Sequence, residues 1–293
     1  MKLFFEGGIA IRVVITGAGG QLGTDCVPEA RRRGWEPIGA DIDDFDLTDR
    51  AATLAFLENA KPDCVLHCAA YTAVDKAEDE PETARAVNEG GTAAIAEYCA
   101  ARDIWLCYVS TDYVFDGSGS APREVDAPTA PQNVYGATKL AGEQAIRAAC
   151  KKYLIVRTSW VFGNHGSNFV KTMLRLGKTH TSLTVVEDQV GAPTYTPHLA
   201  RLLCDMLARP VQGVYHAANL GETSWAGFAR QIFGLAGLPC KVVPVPSSQY
   251  PQKAVRPKNS RLSPRALQQT GYAPLPPLNI ALTEMLEKEG ELR

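Results

Sequence analysis

Tyr135 and Lys139 lie four residues apart in the stretch NVYGATKLAGE, and together they could transfer a proton. Residues at this spacing share one face of a helix, so the two side chains would be neighbours. A phenol is a poor acid–base catalyst unless its anion is stabilised, and an ammonium group one helical turn away would lower the pKa of the phenol. The alternative is a pair of polar residues on the exposed side of an ordinary helix. The rest of the chain has to decide between these interpretations.

Three glycines form a second candidate site near the start of the chain. Gly17, Gly20 and Gly23 in VVITGAGGQLG follow an apolar stretch and precede a helical pattern. Gly17 would permit a tight turn, Gly20 would let the backbone approach a pyrophosphate, and Gly23 would allow close packing of helix on strand. The N-terminus of the new helix would attract the anion. Turns also collect glycine for other reasons, but the position at a strand-to-helix junction predicts a dinucleotide site.

Asp41 ends the second predicted strand, 18 residues after Gly23. A carboxylate there would accept a hydrogen bond from the ribose 2′-hydroxyl of NAD and would repel the 2′-phosphate of NADP. Arg12 and the run from Arg31 to Arg33 could instead accommodate that phosphate. The run also stands where a helix is expected to end, and basic side chains there complement the helix dipole. The sequence therefore favours NAD slightly and leaves NADP open.

Strand and helix patterns alternate through the first half of the chain and would place these residues at one edge of a sheet. Helices are predicted from Gln21 to about Arg33, at about 83–101 and around Tyr135, and short apolar strands are predicted at 12–16, 36–41, 63–70, 104–110 and 153–159. Buried strands that alternate with helices are typical of a parallel sheet covered on both faces. The predicted fold is therefore α/β, a doubly wound parallel Rossmann sheet with a smaller C-terminal substrate-binding lobe.

The second half of the chain continues this pattern only in part. Strands are expected in LTVVE and GVYHAAN, with a helix at about 197–207 between them. Beyond residue 218, Pro-rich loops and short amphipathic helices are typical of a capping lobe. The predicted domains are a dinucleotide-binding domain of residues 11–160 and 182–217, a substrate-binding lobe of residues 161–181 and 218–293, and an N-terminal extension of residues 1–10.

Composition argues against several classes of protein. The formal net charge of −2 argues against a nucleic-acid surface, and no stretch looks long and apolar enough for a membrane span. The eight cysteines form no C-x-x-C pair or zinc-finger spacing and the five histidines are scattered, so no metal site is predicted. Several cysteines lie in apolar strands, as is typical of thiols in a reducing compartment, so we expect a cytoplasmic location.

The G-x-x-G-x-x-G spacing, the strand end VSTDYVF and the Tyr-x-x-x-Lys helix follow one another as in the extended short-chain dehydrogenase/reductase family, which the chain resembles. The resemblance implies that Thr111, Tyr135 and Lys139 are catalytic and converge beside the nicotinamide of NADPH or NADH. Thr111 would hydrogen-bond a substrate carbonyl, Tyr135 would protonate it, and Lys139 would also hold the nicotinamide ribose. Taken alone, Thr111 could equally cap a strand end.

Longer blocks are similar to a narrower family, the dTDP-4-dehydrorhamnose reductases. They run from about residue 13 to 262 and include HCAAYTAVDKAEDEP, VRTSWVFG, NFVKTML, DQVGAPTYT and RPKNSRL. This resemblance implies NAD(P)H-dependent reduction of the C4 ketone of dTDP-4-dehydro-6-deoxy-L-mannose to dTDP-L-rhamnose, for cell-surface polysaccharide. The partner would be a small dTDP-sugar. A homodimer and a bound magnesium ion are compatible with the family, although no residue spacing in this chain supports the ion.

The same resemblance assigns residues to two binding surfaces. Substrate contacts would come from Thr111, Asp112 and Trp160, and an indole at a strand end is a good stacking platform. Ala69 and Ala70 could instead be close-packed sheet residues. Cofactor contacts would come from the glycine loop, the strand ends and the catalytic helix, namely Gly17, Gly20, Gln21, Leu22, Gly23, Asp41, Asp46, Leu47, Ala69, Ala70, Tyr71, Tyr108, Tyr135 and Lys139.

Other functions stay open at this point. One is a different nucleotide-sugar reductase, epimerase or 4,6-dehydratase on the same fold. Dehydratases carry an Asp-Glu pair after the threonine of strand four, whereas this chain has Thr111-Asp112-Tyr113, which disfavours dehydration. Another is a non-catalytic, NADP-binding regulatory subunit similar to the beta subunit of methionine adenosyltransferase. Retention of Thr111, Tyr135 and Lys139 argues against that role.

Overall fold

The computed structural model describes residues 10–293, so almost all of the predicted N-terminal extension lies outside the described residues. The strands are β1 (Arg12–Thr16), β2 (Glu36–Ala40), β3 (Cys64–His67), β4 (Trp105–Thr111), β5 (Tyr153–Thr158), β6 (Val161–Phe162), β7 (Ser182–Val186), β8 (Val190–Gly191), β9 (Thr194–Tyr195), β10 (Gly213–His216), β11 (Asn219–Leu220), β12 (Thr223–Ser224), β13 (Lys241–Val245), β14 (Asn259–Ser260) and β15 (Leu275–Pro277).

Helices separate most of these strands. They are α1 (Gly23–Arg32), α2 (Arg50–Ala60), α3 (Val74–Ala77), α4 (Pro81–Arg85), α5 (Thr92–Ala101), α6 (Val134–Ala149), α7 (Phe169–Gly177), α8 (Thr196–Ala208), α9 (Trp225–Leu235), α10 (Arg265–Gln269) and α11 (Leu278–Glu289). No helix within residues 10–293 is long and apolar enough to cross a membrane.

Six of the strands form one parallel sheet in the order β10-β5-β4-β3-β1-β2. The predicted doubly wound Rossmann sheet is confirmed. The order reverses at β1, which pairs with β2 on one side and with β3 on the other. Such a reversal leaves a crevice outside the carboxyl ends of the strands, and ligands of open α/β sheets bind there.

Side chains along β1 alternate between two cores, because successive residues of a strand point to opposite faces of the sheet. Val13 and Ile15 pack on one face with Cys26 of α1 and with residues of α8. Val14 packs on the other face with Leu57 of α2 and with residues of α5 and α6. Helices therefore cover both faces, which explains why the strands are continuous apolar runs in the sequence.

The long helix predicted at about 83–101 is divided in the structure. A π-helical turn at Ala86–Gly91 separates α4 from α5. A Cβ atom on Gly91 would lie 3.0 Å from the carbonyl oxygen of Leu47, so this turn packs closely against the loop before α2. Turns of π-helix are frequent at functional sites, and this one carries the side chain of Asn88, which bridges the loop after β3 and α6 as described below.

The C-terminal lobe is built from small sheets, paired as β6-β9, β7-β13, β11-β15 and β12-β8-β14. The strand 182–186, which we placed in the dinucleotide-binding domain, pairs with β13 of the lobe. Only Val185 and Val186 of that strand are buried, whereas a central strand would be buried along its length. Conversely, Tyr272 and Leu275 pack in the core beneath the central sheet. These segments therefore cross the predicted domain boundaries, which remain a prediction.

Candidate active site

A cavity of about 830 Å³ lies in the crevice at the carboxyl edge of the sheet. Its lining includes residues that follow β1, β2, β3, β4 and β5, together with the first turns of α6. The predicted site residues that line it are Gly17, Gly20, Gln21, Leu22, Gly23, Asp41, Asp46, Leu47, Ala69, Ala70, Tyr71, Thr111, Asp112, Tyr135, Lys139 and Trp160. Tyr108 is the one predicted residue that does not line it.

The glycine loop is shaped so that side chains would not fit. Gly17 has a φ of +66°, and a Cβ atom on it would lie 2.8 Å from the backbone of Ala69. A Cβ atom on Gly23 would lie only 2.0 Å from the carbonyl oxygen of Gly17. The N–H of Gly20 donates to that same oxygen at 3.0 Å, and no side chain caps the first turn of α1. The result is a backbone cradle at a helix N-terminus, which fits the pyrophosphate of a dinucleotide.

Asp41 lies at the end of β2 on the rim of this cradle. Its carboxylate accepts hydrogen bonds from the N–H of Gly19 at 2.8 Å and the N–H of Ile42 at 2.9 Å. The backbone thus fixes the orientation of the carboxylate beside the glycine loop. An acid held in this position is suited to accept from a ribose hydroxyl.

The arginines considered for a 2′-phosphate are mostly engaged elsewhere. Arg32 and Arg33 pair with Glu29 on α1, and Arg33 also pairs with Asp205 of α8 at 2.8 Å. Arg12 pairs with a carboxylate on β2. These contacts agree with the interpretation of the basic run as a feature of the helix end, and the preference between NADH and NADPH remains a prediction.

Asn88, in the π-helical turn, is a residue that the sequence reasoning missed. Its side-chain Oδ1 accepts from the N–H of Tyr71 at 2.8 Å, and its Nδ2 donates to the hydroxyl of Thr138 at 3.0 Å. The side chain is buried and connects the loop after β3 to the catalytic helix α6. An asparagine in a helical pattern gives no sequence signal for such a role.

Tyr135 and Lys139 occupy the first two turns of α6, on the face that borders the cavity. Asn133 caps this helix by accepting from the N–H of Gly136 at 2.8 Å, so the start of the helix is fixed. Lys139 Nζ donates to the carbonyl oxygen of Val109 at 2.7 Å. The predicted pair is therefore brought to the end of β4.

Tyr108 supports Lys139 from below instead of lining the cavity. Its side chain is fully buried, and Lys139 Nζ lies 4.0 Å from the centre of its ring. A cation is attracted to the face of an aromatic ring, so this contact holds the ammonium group in place. The predicted role of Tyr108 in lining the path of the cofactor is not seen in the structure, because the lysine covers the ring.

Burial has opposite effects on the pKa values of Tyr135 and Lys139, the two candidate catalytic side chains. Burial raises the pKa of Tyr135 to about 12, and a contact with the Thr111 hydroxyl acts in the other direction. Burial lowers the pKa of Lys139 to about 7, although Glu143 acts to raise it. The sequence predicts that Lys139 lowers the pKa of Tyr135, but burial of the phenol has the dominant effect. Tyr135 is therefore a protonated phenol at neutral pH, as a proton donor must be.

Thr111 and Asp112 follow β4 at the centre of the cavity. The Thr111 hydroxyl donates to Asp112 Oδ1 at 3.2 Å. Burial raises the pKa of Asp112 to about 7, against the lowering effect of the nearby hydroxyl groups of Ser260 and Thr111. The second carboxylate oxygen of Asp112 is buried and has no hydrogen-bond partner among the described residues. Asp112 is also among the residues that line the cavity.

A buried ion pair fixes α6 against the sheet behind the catalytic residues. Glu143 accepts from the guanidinium of Arg157 at 2.7 and 2.8 Å and from the hydroxyl of Ser110 at 2.6 Å. Both charged side chains are almost fully buried. Because unpairing either charge would be costly, the pair holds α6 in one register on β4 and β5. The sequence reasoning did not identify it.

Trp160 lies in the short connection between β5 and β6 and has an unusual backbone conformation. Its φ is +48°, a left-handed value that costs a bulky residue about 1–3 kcal/mol and persists only where neighbours enforce it. Its indole lines the cavity, and its ring stacks on Trp225 of α9 with centroids 3.6 Å apart and planes 10° from parallel. The indole therefore borders the cavity with one face covered by Trp225 of the lobe, and its role as a stacking platform for the sugar remains a prediction.

No cluster of three or more His, Cys, Asp or Glu side chains in residues 10–293 could hold a metal ion. The side chains of this part of the chain therefore do not fit a dedicated magnesium site, and no step of the chemistry is assigned to the ion.

Comparison with known proteins gives consistent results over nearly the whole chain. The family described as RmlD substrate binding domain matches residues 11–290. The dTDP-4-dehydrorhamnose reductase of Mycolicibacterium smegmatis is 45% identical over 271 residues, which are 91% of this chain and 82% of that protein. A dTDP-4-keto-6-deoxy-D-glucose reductase of Streptomyces niveus is 38% identical over 275 residues, 93% of this chain and 96% of that protein.

A solved structure agrees in fold as well as in sequence. The crystal structure of a dTDP-4-dehydrorhamnose reductase from Bacillus anthracis in complex with NADP has a TM-score of 0.93 to this chain at 37% identity. The match covers 96% of this chain and all of that chain. Central sheet and C-terminal lobe are therefore both included in the similarity.

Proposed function

This chain belongs to the dTDP-4-dehydrorhamnose reductase family, and from that premise we propose that it reduces the C4 ketone of dTDP-4-dehydro-6-deoxy-L-mannose to dTDP-L-rhamnose. The protein is an oxidoreductase of dTDP-rhamnose biosynthesis that depends on a nicotinamide cofactor, NADPH or NADH. The substrate is a small sugar nucleotide.

One observation carries the proposal. A single cavity joins the glycine cradle at the start of α1 to the phenol of Tyr135 and the hydroxyl of Thr111. A ketone reductase needs a binding site for the dinucleotide and a proton donor within reach of the reacting carbonyl. Both lie on the same crevice here, in the order along the sheet that a bound dinucleotide would follow.

Tyr135 supplies the proton of the reaction. When bound, the reduced nicotinamide supplies a hydride to the ketone carbon. The phenol of Tyr135 donates its proton to the ketone oxygen, which becomes the C4 hydroxyl, and Thr111 donates a hydrogen bond that orients the carbonyl. Burial keeps the phenol protonated until a substrate oxygen develops negative charge and draws the proton away.

Lys139 stabilises the phenolate that remains after this transfer. Its ammonium group is held over Tyr108 and on the carbonyl oxygen of Val109, one helical turn from Tyr135. A positive charge at that distance favours the phenolate by Coulomb attraction in a buried, low-dielectric site. With a pKa of about 7, the lysine is also able to return a proton to the phenolate near neutral pH.

Asp112 and Trp160 bind the sugar in this proposal. Asp112 lines the cavity, and its carboxylate would accept a hydrogen bond from a sugar hydroxyl. The open face of the Trp160 indole would cover one side of the pyranose ring. The nucleotide would extend from there toward the C-terminal lobe, and its remote binding energy would position the ketone.

The other nucleotide-sugar activities are less well supported. A dehydratase would need a second carboxylate where Tyr113 stands, and that tyrosine packs edge-on against Tyr135 with ring centroids 5.5 Å apart. A regulatory protein would have no use for a buried phenol that is held protonated beside an ordered lysine. The relative from Streptomyces niveus is named as a reductase of a D-configured ketone. The test therefore includes a D-configured ketone beside the L-configured one.

The decisive assay measures cofactor oxidation with dTDP-4-dehydro-6-deoxy-L-mannose, with the D-gluco-configured dTDP ketone, with UDP-linked ketones and with free keto sugars. We expect the first substrate to have the largest kcat/KM and the free sugars to be very poor substrates, because they lack the nucleotide. Running each substrate with NADH and with NADPH measures the cofactor preference. Comparable kcat/KM for all of the sugars would contradict the sugar-nucleotide assignment.

We also propose a cytoplasmic location and a homodimer. All eight cysteines are free thiols and seven of them are buried, which suits a reducing compartment. The homodimer rests on family resemblance alone. Light scattering of the purified protein measures the assembly directly, and a mass close to 31.6 kDa would exclude the dimer.

A further inference from the structure

Trp160, in the connection between β5 and β6, is held in place by contacts with Thr194 and Gly191. Its carbonyl oxygen accepts from the N–H of Thr194 at 3.2 Å. One edge of its indole lies against Gly191, where an added Cβ atom would approach the ring to 3.0 Å. These contacts and the left-handed backbone leave the indole little freedom to turn away from the cavity.

Trp225 covers one face of that indole. The two rings are parallel to within 10° and their centroids are 3.6 Å apart. Trp225 is itself anchored, because its Nε1–H donates to the buried side chain of Gln189 at 3.1 Å and the ring of Phe169 packs on it at 4.6 Å. Ser224 caps the helix that begins at Trp225. The indole of Trp225 is therefore held in a fixed orientation, and the indole of Trp160 stacks on it.

Trp225 does not line the cavity, whereas Trp160 does. A side chain that touches the platform without bordering the cavity acts on a ligand only through the platform. We propose that Trp225 is a positioning residue for the substrate, which fixes the Trp160 indole so that its open face meets the sugar ring. This inference rests on the proposed function, since it assumes that a sugar nucleotide occupies the cavity.

The stacked pair also joins the two halves of the protein. Trp160 follows a strand of the central sheet, and Trp225 begins a helix of the lobe. Beyond Trp225 the aromatic contacts continue through Phe169 to Phe228, with centroids 5.7 Å apart. The packing of the lobe core thereby determines where the sugar platform lies. A change at Trp225 should thus affect the sugar and leave the dinucleotide unaffected.

Three substitutions test whether Trp225 positions the Trp160 indole or only fills space. Trp225→Phe keeps a flat ring, and Trp225→Leu fills part of the volume without a flat face. Gln189→Leu removes the acceptor that orients the indole of Trp225. We expect Trp225→Leu to raise KM for the dTDP sugar about 3- to 10-fold, as for the loss of an aromatic contact. We expect Trp225→Phe to recover most of this loss and Gln189→Leu to give an intermediate value, with kcat and the Kd for NADPH within twofold throughout.

Circular dichroism reports the geometry of the pair directly. Two indoles stacked this closely couple their electronic transitions and give paired positive and negative bands in the far ultraviolet. The bands should be present in the wild-type protein and lost in Trp160→Phe and Trp225→Phe. The remaining tryptophans supply matched controls, since Trp35→Phe and Trp105→Phe should keep both the bands and the kinetic constants.

The outcomes are distinct. If the wild-type protein turns over the dTDP sugar and Trp225→Leu loses the coupled bands but keeps KM within twofold, Trp225 only fills space and the inference is overturned. If Trp225→Leu does not fold, Gln189→Leu decides: a raised KM with an unchanged kcat supports the inference, and a KM within twofold of the wild-type value overturns it. If the wild-type protein turns over no sugar nucleotide, the proposed function fails first and the inference fails with it.

Discussion

The cofactor side and the sugar side of the cavity are built in different ways. The cradle for the dinucleotide comes from one short stretch, in which Gly17 and Gly23 pack on each other's backbone, and from the ends of neighbouring strands. The proposed sugar side combines Asp112 and Trp160 with Trp225, which lies behind the Trp160 indole, and these residues come from segments far apart in the chain. A site made by a local turn is visible as a motif, whereas a site made by packing of distant segments is not.

This difference predicts that the two sides can be damaged separately. A change on the cofactor side should alter cofactor affinity, and a change on the sugar side should alter the KM for the sugar nucleotide. Tyr135 is where the sides meet, so its loss should impair the chemical step without removing either ligand.

Tyr135→Phe should have the largest effect. The substitution keeps the ring and removes the proton donor, so kcat should fall by roughly 10²- to 10⁴-fold, the usual contribution of general acid catalysis. The Kd for NADPH should change little. Steady-state kinetics and a fluorescence titration of the cofactor measure the two effects, with Tyr153→Phe on β5 as the matched control. Near-normal turnover would show that the proton donor is wrongly identified.

Lys139→Met should affect both the chemical step and the cofactor. Loss of a charged hydrogen-bonding group is expected to lower kcat/KM by roughly 10- to 150-fold. Burial lowers the pKa of Lys139 to about 7, so its charged form is lost as the pH rises through that value. Activity of the wild-type protein should therefore decline above about pH 7, and Lys139→Met should lack this decline.

Lys139 and Asp112 titrate in the same pH range, and the pH profiles of two variants separate their effects. Asp112 also has a pKa of about 7, so the profile of Asp112→Asn is needed beside that of Lys139→Met. The decline above about pH 7 should persist in Asp112→Asn. If it disappears there and persists in Lys139→Met, the carboxyl group is responsible for it and the role given to Lys139 is wrong.

Gly23→Ala tests the cofactor side alone. A Cβ atom would lie 2.0 Å from the carbonyl oxygen of Gly17, so the loop would have to move. Overpacking of this kind should weaken NADPH binding roughly 5- to 150-fold. Gly234→Ala in α9 is the control, because nothing lies within 4 Å of a Cβ atom there. Equal cofactor affinity in both variants would mean that the loop does not hold the pyrophosphate.

Trp160→Ala tests the sugar side alone. The KM for the dTDP sugar should rise about 2- to 13-fold, the range expected for one aromatic stacking contact. Cofactor affinity should stay within twofold, because the glycine loop is untouched. A larger loss of NADPH binding than of sugar binding would break the separation of the two sides.

Asp112→Asn should give the smallest effect, and it concerns stability. Burial raises the pKa of Asp112 from about 3.8 to about 7, so the folded protein loses stability as the pH rises from about 4 to about 7. Asparagine has no charge to bury. The difference in Tm between Asp112→Asn and the wild-type protein should be at least about 2 °C more positive at pH 8 than at pH 5. Thermal denaturation at both pH values measures it, and an equal difference would mean that the carboxyl group is solvated.

Much of the fold and of the cofactor side could be predicted from the sequence. Continuous apolar strands before Gly17 and Thr111, and the spacing of Tyr135 and Lys139, carry a strong local pattern that predicts the position of each element. The course of the segment 182–186 could not be predicted, because a short apolar strand does not specify which strand it pairs with.

The supporting residues could not be predicted for a related reason. Asn88 bridges Tyr71 and Thr138, which are 67 residues apart, and Trp225 stacks on a ring 65 residues before it. Neither has a motif, since its role depends on which neighbours the complete fold brings to it. Tyr108 is the opposite case. The family resemblance assigned it to the cofactor contacts, but its side chain lies beneath Lys139 in the structure.

The fate of one hydrogen atom tests the central claim most directly. The wild-type protein is incubated with dTDP-4-dehydro-6-deoxy-L-mannose and with NADPH that carries deuterium at the transferred position, and the product is examined by NMR and mass spectrometry. We predict one deuterium at C4 of dTDP-L-rhamnose for each NADPH oxidised, with Tyr135→Phe slowed by roughly 10²- to 10⁴-fold. Isomerised sugar with the label retained in the cofactor, or no conversion at all, would contradict the account.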